Sequence, residues 1–229
     1  LFYQIGFPNK NDEDWKFSDL NSILSKNFNN IANNNFLPKE KNFKIIEEFE
    51  HNYISLFDGK IVSKDFSYEE KNKVLIDNFN YKDELIFDNK NPLYILNNAL
   101  STGGFSLEIS KNYKLKKPLI IYNNFSNSLK ETIVNYKNLI ILNENSELNL
   151  INYINNSSRE NFMVNTVENI KMKKDSSLNN ILINNSKCNG YFYKYIKCDL
   201  EKNSSLENYL ISSGLKFNKL DIEINLNEE

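Results

Sequence analysis

One seven-residue phrase recurs through the second half of this chain, and it constrains the fold more than any single residue does. Leu142-Asn143-Glu144-Asn145-Ser146-Glu147-Leu148 returns as Met172-Lys173-Lys174-Asp175-Ser176-Ser177-Leu178 and again as Leu200-Glu201-Lys202-Asn203-Ser204-Ser205-Leu206. Leu226-Asn227-Glu228-Glu229 begins a fourth copy. The leading apolar residues stand at 142, 172, 200 and 226, so the steps are 30, 28 and 26 residues. Each copy joins an apolar β-type run to a polar Asn/Asp-Ser corner and then to a second apolar run. One such unit cannot bury its own apolar face, whereas stacked units share a continuous core. The expectation is a β-solenoid in which Leu148, Leu178 and Leu206 stack in line, about 4.8 Å apart per rung.

A chain of 229 residues holds one elongated domain, or a small domain joined to a larger one. With 40% apolar residues it can build a sizeable core. The net charge of −2 and the single arginine, Arg159, speak against a broad nucleic-acid or anionic-membrane footprint. Two cysteines, Cys188 and Cys198, do not make a disulfide framework. No stretch approaches the roughly 20 apolar residues of a membrane span, and the opening residues lack signal-peptide order. The resulting expectation is a cytoplasmic, reduced protein. The chain opens on Leu1 and stops inside a repeat, so it reads as a fragment whose last rung leaves a sheet edge unpaired.

The pattern predicts a short helix over 14–25, with Phe17, Leu20 and Leu24 at helical spacing, Ile23 beside them, and Asp12 or Asp14 as cap. Asn27 to Asn35 reads as a loop. Tyr53–Phe57, Asp58-Gly59 and Lys60–Val62 form a hairpin signal. Residues 64–90 carry no clear period. Asn91-Pro92 opens a helix through Leu100, with Asn as cap, Pro at the first helical position, and Thr102-Gly103-Gly104 as its end. Strands are expected at Phe105–Ile109, Leu119–Tyr122, Leu139–Leu142, Leu148–Ile154 and Val164–Met172. Their continuous apolar runs suit strands buried on a parallel sheet. The division is therefore an α-rich, mixed N-terminal region over 1–90 and a parallel β-helix core over 91–229.

Words spread along the chain resemble a known family. Gly6-Phe7-Pro8 followed by Asp12-Glu13-Asp14-Trp15-Lys16-Phe17-Ser18-Asp19-Leu20 resembles the "GFP…(D/E)E(E/D)WKYTDL" opening of SufD, in the SufB/SufD family. Leu96-Asn97-Asn98-Ala99-Leu100 resembles the family's "LNxAL" helix. The stretch from Gly104 to Lys117-Pro118-Leu119-Ile120-Ile121 resembles its "KPI.I" segment. Asn138 to Ser146 is similar to the "N.(I/L)(I/V)(V/L)EENA" rung, and Asn165-Thr166-Val167-Glu168 to "N.V.E". Each word is weak alone, but the set follows the family's order and spacing across almost the whole chain. Trp15 is the only tryptophan and lies where the family has one.

The resemblance implies a right-handed parallel β-helix with an α-rich N-terminal region, acting as a non-catalytic scaffold in iron–sulfur cluster assembly. Its implied partners are SufB and the SufC ATPase in a SufBCD complex. The implied cargo is an iron–sulfur cluster, transient and held at the level of that complex, with no cofactor assigned to this chain. The family's SufB contact, its C-terminal SufC-docking helices and the histidine implicated in assembly fall beyond the positions matched here. No catalytic, cofactor or metal residue is therefore carried over.

The tempting residues read plainly. His51, the only histidine, has no second His or Cys and no paired carboxylate at ligand spacing, so a surface or helix-end position is expected. Cys188 and Cys198 stand ten residues apart, outside the usual iron–sulfur spacings, and are expected to be buried structural cysteines. Tyr191-Phe192-Tyr193-Lys194-Tyr195 reads as a strand with aromatics alternating inward and outward rather than as a base-stacking platform. Glu47-Glu48 and Asp12-Glu13-Asp14 read as solvated faces, because adjacent carboxylates diverge on helix and strand alike. Thr102-Gly103-Gly104 lacks the Gly-Lys-Ser/Thr of a phosphate loop. Two other readings suit a solenoid: a β-helix polysaccharide lyase or hydrolase, and a passive binding module.

Overall fold

A computed structural model describes residues 2–8, 10–28, 43–80, 91–126, 128–154, 160–185 and 188–227. The chain is mainly β, a solenoid of about four turns with parallel sheets. Its helices are α1 (Phe2–Ile5), α2 (Leu20–Asn27) and α3 (Pro92–Leu100). Its strands are β1 (Asn52–Phe57), β2 (Lys60–Asp65), β3 (Val74–Asn78), β4 (Phe105–Ile109), β5 (Leu119–Asn124) and β6 (Thr132–Leu142). They continue as β7 (Glu147–Ile154), β8 (Phe162–Met172), β9 (Ser177–Asn185), β10 (Gly190–Leu200), β11 (Ser205–Ser213) and β12 (Phe217–Leu226).

Two sheets face each other across the core, with strand orders β11-β9-β7-β5-β1-β2 and β12-β10-β8-β6-β4-β3. From β4 onward successive strands alternate between them, so each rung places one strand in each sheet. The β1–β2 hairpin and the antiparallel strand β3 close the sheets at the N-terminal end. Parallel pairing therefore starts with β1 on β5, before α3 in the chain.

The repeat sets the register. Leu142 pairs with Met172, Met172 with Leu200, and Leu200 with Leu226. Leu148 pairs with Leu178, and Leu178 with Leu206. Leu148 and Leu178 are buried, and Leu206 packs against the same core from the last rung. Burying each such leucine contributes about 1.5–3 kcal/mol, available only while the neighbouring rungs remain stacked.

The corner explains why Asn or Asp precedes Ser. Asn112, Asn145, Asp175 and Asn203 adopt φ of 59°, 55°, 58° and 59°. That left-handed conformation is open to Asn and Asp at little cost but penalises branched side chains. The following serine closes the turn: Ser146, Ser176 and Ser204 donate their N–H to Asn143, Lys173 and Glu201 carbonyls. Ser176 and Ser204 add hydroxyl bonds to the same carbonyls at 2.6 and 2.7 Å. Corners also bond to one another. The Asn145 amide donates to Asn112 Oδ1 at 3.1 Å, and the Asn203 amide to Asp175 Oδ1 at 3.0 Å.

The N-terminal region departs from the expected helix over 14–25. Glu13–Trp15 is a single 3₁₀ turn, and the helix proper starts at Leu20, capped by Asp19, whose carboxylate accepts from Ser22 N–H at 2.9 Å. Asp12 precedes the 3₁₀ turn without a side-chain cap bond. Phe17 lies between the two elements and is 91% exposed, although its spacing to Leu20 and Leu24 mimics a helix face. The expected loop over Asn27 to Asn35 falls outside the described residues beyond Phe28. Within 64–90 the structure shows β3, while 81–90 lie outside the described residues.

The hairpin forms as expected, with Asp58 and Gly59 at φ of 50° and 80°. Asn91 caps α3, its carbonyl oxygen accepting from Leu93 and Tyr94 N–H. Gly103-Gly104 then lets the chain cross other backbone: a Cβ on Gly104 would sit 1.8 Å from the Lys137 carbonyl oxygen. Strand β6 begins at Thr132, seven residues before the expected Leu139, because its outward polar residues are buried under α3.

Replacing Leu178 with Asp places an unpaired carboxylate at a position only 1% exposed, flanked by leucine on both sides. The expected cost is roughly several kcal/mol. Thermal denaturation followed by circular dichroism should show loss of the cooperative β transition. A melting temperature within about 2 °C of the parent would contradict this register.

Candidate functional site

The structure concentrates its unusual chemistry in two places: the outer face of the β12-β10-β8-β6-β4-β3 sheet, where the N-terminal region docks, and the lumen beneath it. At the docking face Trp15 is buried against Tyr193 and Phe217, with ring centroids 5.8 and 6.3 Å away. Lys219 lies over the Trp15 ring at 4.9 Å, so the 3₁₀ turn Glu13–Trp15 grips β12. Leu20 and Leu24 from α2, Phe28 just after it, and Leu93, Tyr94 and Leu96 from α3 complete this second core against Met163, Val167 and Tyr195.

Amide side chains lock the two layers together. Asn97 is fully buried and donates to the carbonyls of Tyr136 and Asn165 at 3.0 and 2.7 Å. Asn165 answers by donating to the Leu93 carbonyl and to Asn135 Oδ1, both at 2.9 Å. Asn91 donates to the Tyr193 hydroxyl at 2.7 Å, and that hydroxyl donates to Asp221. Burial and the Asp221 charge hold the Tyr193 phenol far above its ordinary pKa, so it stays protonated as a donor.

The lumen contains a buried ion pair. Glu168 is fully buried, and one of its oxygens accepts from Lys194 at 3.0 Å. Strand parity turns Lys194 and Glu168 inward, while Tyr193 and Tyr195 turn outward under the N-terminal region. The aromatic run thus alternates faces as expected, with Phe192 in the solenoid core. Around the pair, Asn152, Asn180 and Asn208 link in a chain of amide bonds at 3.1 and 2.8 Å. Tyr136 donates to Asn123 Oδ1 at 3.0 Å. Asn138, Thr166 and Lys194 share the lining of one cavity of about 40 Å³ with Asn123, Tyr136 and Asn152.

The residues singled out from sequence fall in separate places. His51 is buried rather than at the surface or a helix end. Its Nε2 lies 2.9 Å from the Tyr122 hydroxyl and its Nδ1 lies 2.9 Å from the Phe49 carbonyl, so both ring nitrogens are occupied by structural contacts. Cys188 and Cys198 are free and buried, as expected. Burial, reinforced by the Glu168 and Asp199 charges, pushes the Cys198 thiol up to about 12, which leaves it a poor nucleophile at neutral pH. Glu47, Glu48, Asp12, Glu13 and Asp14 are exposed. Arg159 lies outside the described residues. Among the described residues, no group of three or more His, Cys, Asp and Glu side chains gathers as a metal would require. No described helix is long and apolar enough to cross a membrane.

The strands that form this face and lumen have a counterpart among known families. Residues 124–229, from the end of β5 through β12, match the family model described as SUF system FeS cluster assembly, SufBD core domain. The match supports the SufB/SufD family. No curated protein matches the chain. A SufBD core supports a part in iron–sulfur cluster assembly, and the family is of the scaffold type. The matched segment contains Asn165, Glu168, Lys194 and Trp15's partners Tyr193 and Phe217. The words that resemble the SufD opening lie outside it, in the layer that docks onto it.

Sequence reasoning passed over Glu168 and Lys194 as a pair, since they stand 26 residues apart on neighbouring strands. The only signal is the repeat itself, which brings positions one rung apart into contact. Replacing Glu168 with Ala strands the Lys194 ammonium and should destabilise the protein by about 3–5 kcal/mol. Glu168→Leu combined with Lys194→Met should recover most of that loss. Urea titrations of the three proteins check this, and an E168A variant as stable as the parent would contradict it.

Proposed function

We propose that this chain is a SufD-like scaffold subunit of a SufBCD-type complex, supporting assembly of an iron–sulfur cluster without performing catalysis of its own. SufB is the proposed solenoid partner, and SufC the ATPase that supplies nucleotide hydrolysis. The cluster is cargo, built with the partners, rather than a resident group of this chain.

The observation that carries this reading is the coincidence of two independent marks. One is the SufBD core match over β6–β12. The other is the GFP…DEDWKFSDL opening, whose Trp15 and Leu20 pack onto that core and whose Asp19 caps α2. The second mark favours SufD over SufB. A polysaccharide-active β-helix has weaker support: the acidic clusters are exposed neighbours on the N-terminal segments, and the buried carboxylate Glu168 is engaged by Lys194. The cytoplasm is the proposed location, in keeping with a reduced-thiol assembly system.

The test is co-expression of the gene encoding this sequence with SufB and SufC homologues, with affinity capture through this chain. The expected result is a three-component complex that takes up iron and sulfide and shows the visible absorption of a cluster. Recovery of this chain without either partner would overturn the proposal. Replacing Trp15 with Ala should loosen the N-terminal layer and lower complex yield in the same assay.

A further inference from the structure

The outer face of the β11-β9-β7-β5-β1-β2 sheet is built quite differently from the face that holds the N-terminal layer. Strand pairing sets Ile120, Ile151, Ile181 and Tyr209 in one row across it. It sets Tyr122, Tyr153, Ile183 and Ile211 in a second row beside the first. All eight point away from the lumen, since their strand neighbours Leu150, Asn152, Leu182 and Leu210 point inward.

At the near end the chain covers these rows itself. Ile120 and Tyr122 are fully buried. The Phe43 ring lies 5.8 Å from both Tyr53 and Tyr122, and the Ile46 N–H donates to the Tyr122 hydroxyl at 3.0 Å. The covering segment, Phe43-Lys44-Ile45-Ile46, is neither helix nor strand. It shows what this face accepts: an irregular segment that lays an aromatic ring on it, fixed by a backbone N–H to a tyrosine hydroxyl.

Further along, the rows emerge into solvent. Ile151, Tyr153, Ile181 and Ile183 are partly exposed, and Tyr209 and Ile211 are 52% and 57% exposed. Asn149, Asn179 and Glu207 form a polar rim beside them, as expected for an apolar patch that binds something.

We propose that this partly exposed half of the face binds an apolar–aromatic peptide segment of a partner protein, laid alongside the chain's own Phe43–Ile46. The dimensions favour a segment over a second folded copy. Three strands at about 4.8 Å spacing, with two outward positions about 7 Å apart on each, offer far less than the ~800 Å² per partner of a stable protein interface. Tyr153 adds a hydroxyl in the same row as Tyr122, where the covering segment already uses one. The inference rests on the sheet alone and stands whether or not the SufD-like reading does.

The probe is a fluorescein-labelled peptide with the sequence of residues 43–50, Phe-Lys-Ile-Ile-Glu-Glu-Phe-Glu, titrated with the whole chain and read by anisotropy. Saturable binding is expected. Ile211→Lys and Tyr209→Ser, both at exposed positions, should each weaken it about tenfold or more, as for a central contact. Phe17→Ser, in the N-terminal region, should leave it unchanged. Absence of saturable binding would overturn the proposal, as would binding indifferent to both face variants. A concentration-dependent dimer in sedimentation that Ile211→Lys abolishes would assign the face to a second copy and equally overturn it.

Discussion

Parallel strands cannot hold themselves; each rung here exists because the one before it offers a row of backbone donors and acceptors in register. The corners obey the same rule. Asn112, Asn145 and Asp175 donate their N–H to Glu144, Lys174 and Lys202 carbonyls on the following rung. A slip of one residue would turn every inward leucine outward and every lumen amide into the wrong layer. The left-handed corner and its serine make such a slip costly, because it would move the Asn or Asp away from the positive-φ position that suits it. Register is thus specified twice, by the core leucines and by the corner.

Everything added to the solenoid respects that register. The N-terminal layer reaches across four strands of one sheet, from Ile133 on β6 to Phe217 on β12, so its docking also ties rungs together. Buried amides answer each other there, Asn97 and Asn165 each donating to a backbone carbonyl of the opposite layer. The lumen pair Glu168–Lys194 is of the kind that contributes little net stability yet is expensive to break, and its role is best understood as fixing which strands are neighbours. The two outer faces then divide the work. One is sealed by the chain's own helices, and the other is half-sealed by Phe43–Ile46 and presents the remainder.

Much of this was legible in the sequence because the repeat carries it. The pairings of Leu142, Met172, Leu200 and Leu226 follow from aligning the phrase with itself. The Asp58-Gly59 hairpin and the Asn91-Pro92 helix start are local, each needing only a few residues to declare itself. What stayed hidden depends on distant partners. His51 looked like a surface residue because Tyr122 is 71 positions away. Strand β6 looked short because Asn135 and Lys137 seem solvent-facing until α3 lies over them. Phe17 has the spacing of a helix face, yet Ser18 and Asp19 break the run and start the helix afresh. At the level of family, the match to a SufBD core falls on the solenoid strands β6–β12, whereas the layer that clasps them lies outside the matched residues.

The register is the claim on which the rest stands, and cysteine cross-linking tests it directly. Ser177 and Ser205 are paired on β9 and β11 and lie outside the core. Their Cα atoms should stand about 4.8 Å apart, within disulfide range. Ser177 and Glu207 share the same face one pleat out of register, at about 8 Å, beyond that range. Cys188 and Cys198 are buried and should not compete. Under mild oxidation, Ser177→Cys with Ser205→Cys should form an intramolecular disulfide, detected by mass spectrometry of the tryptic peptides. Cross-linking of the Ser177→Cys, Glu207→Cys pair instead would contradict the account.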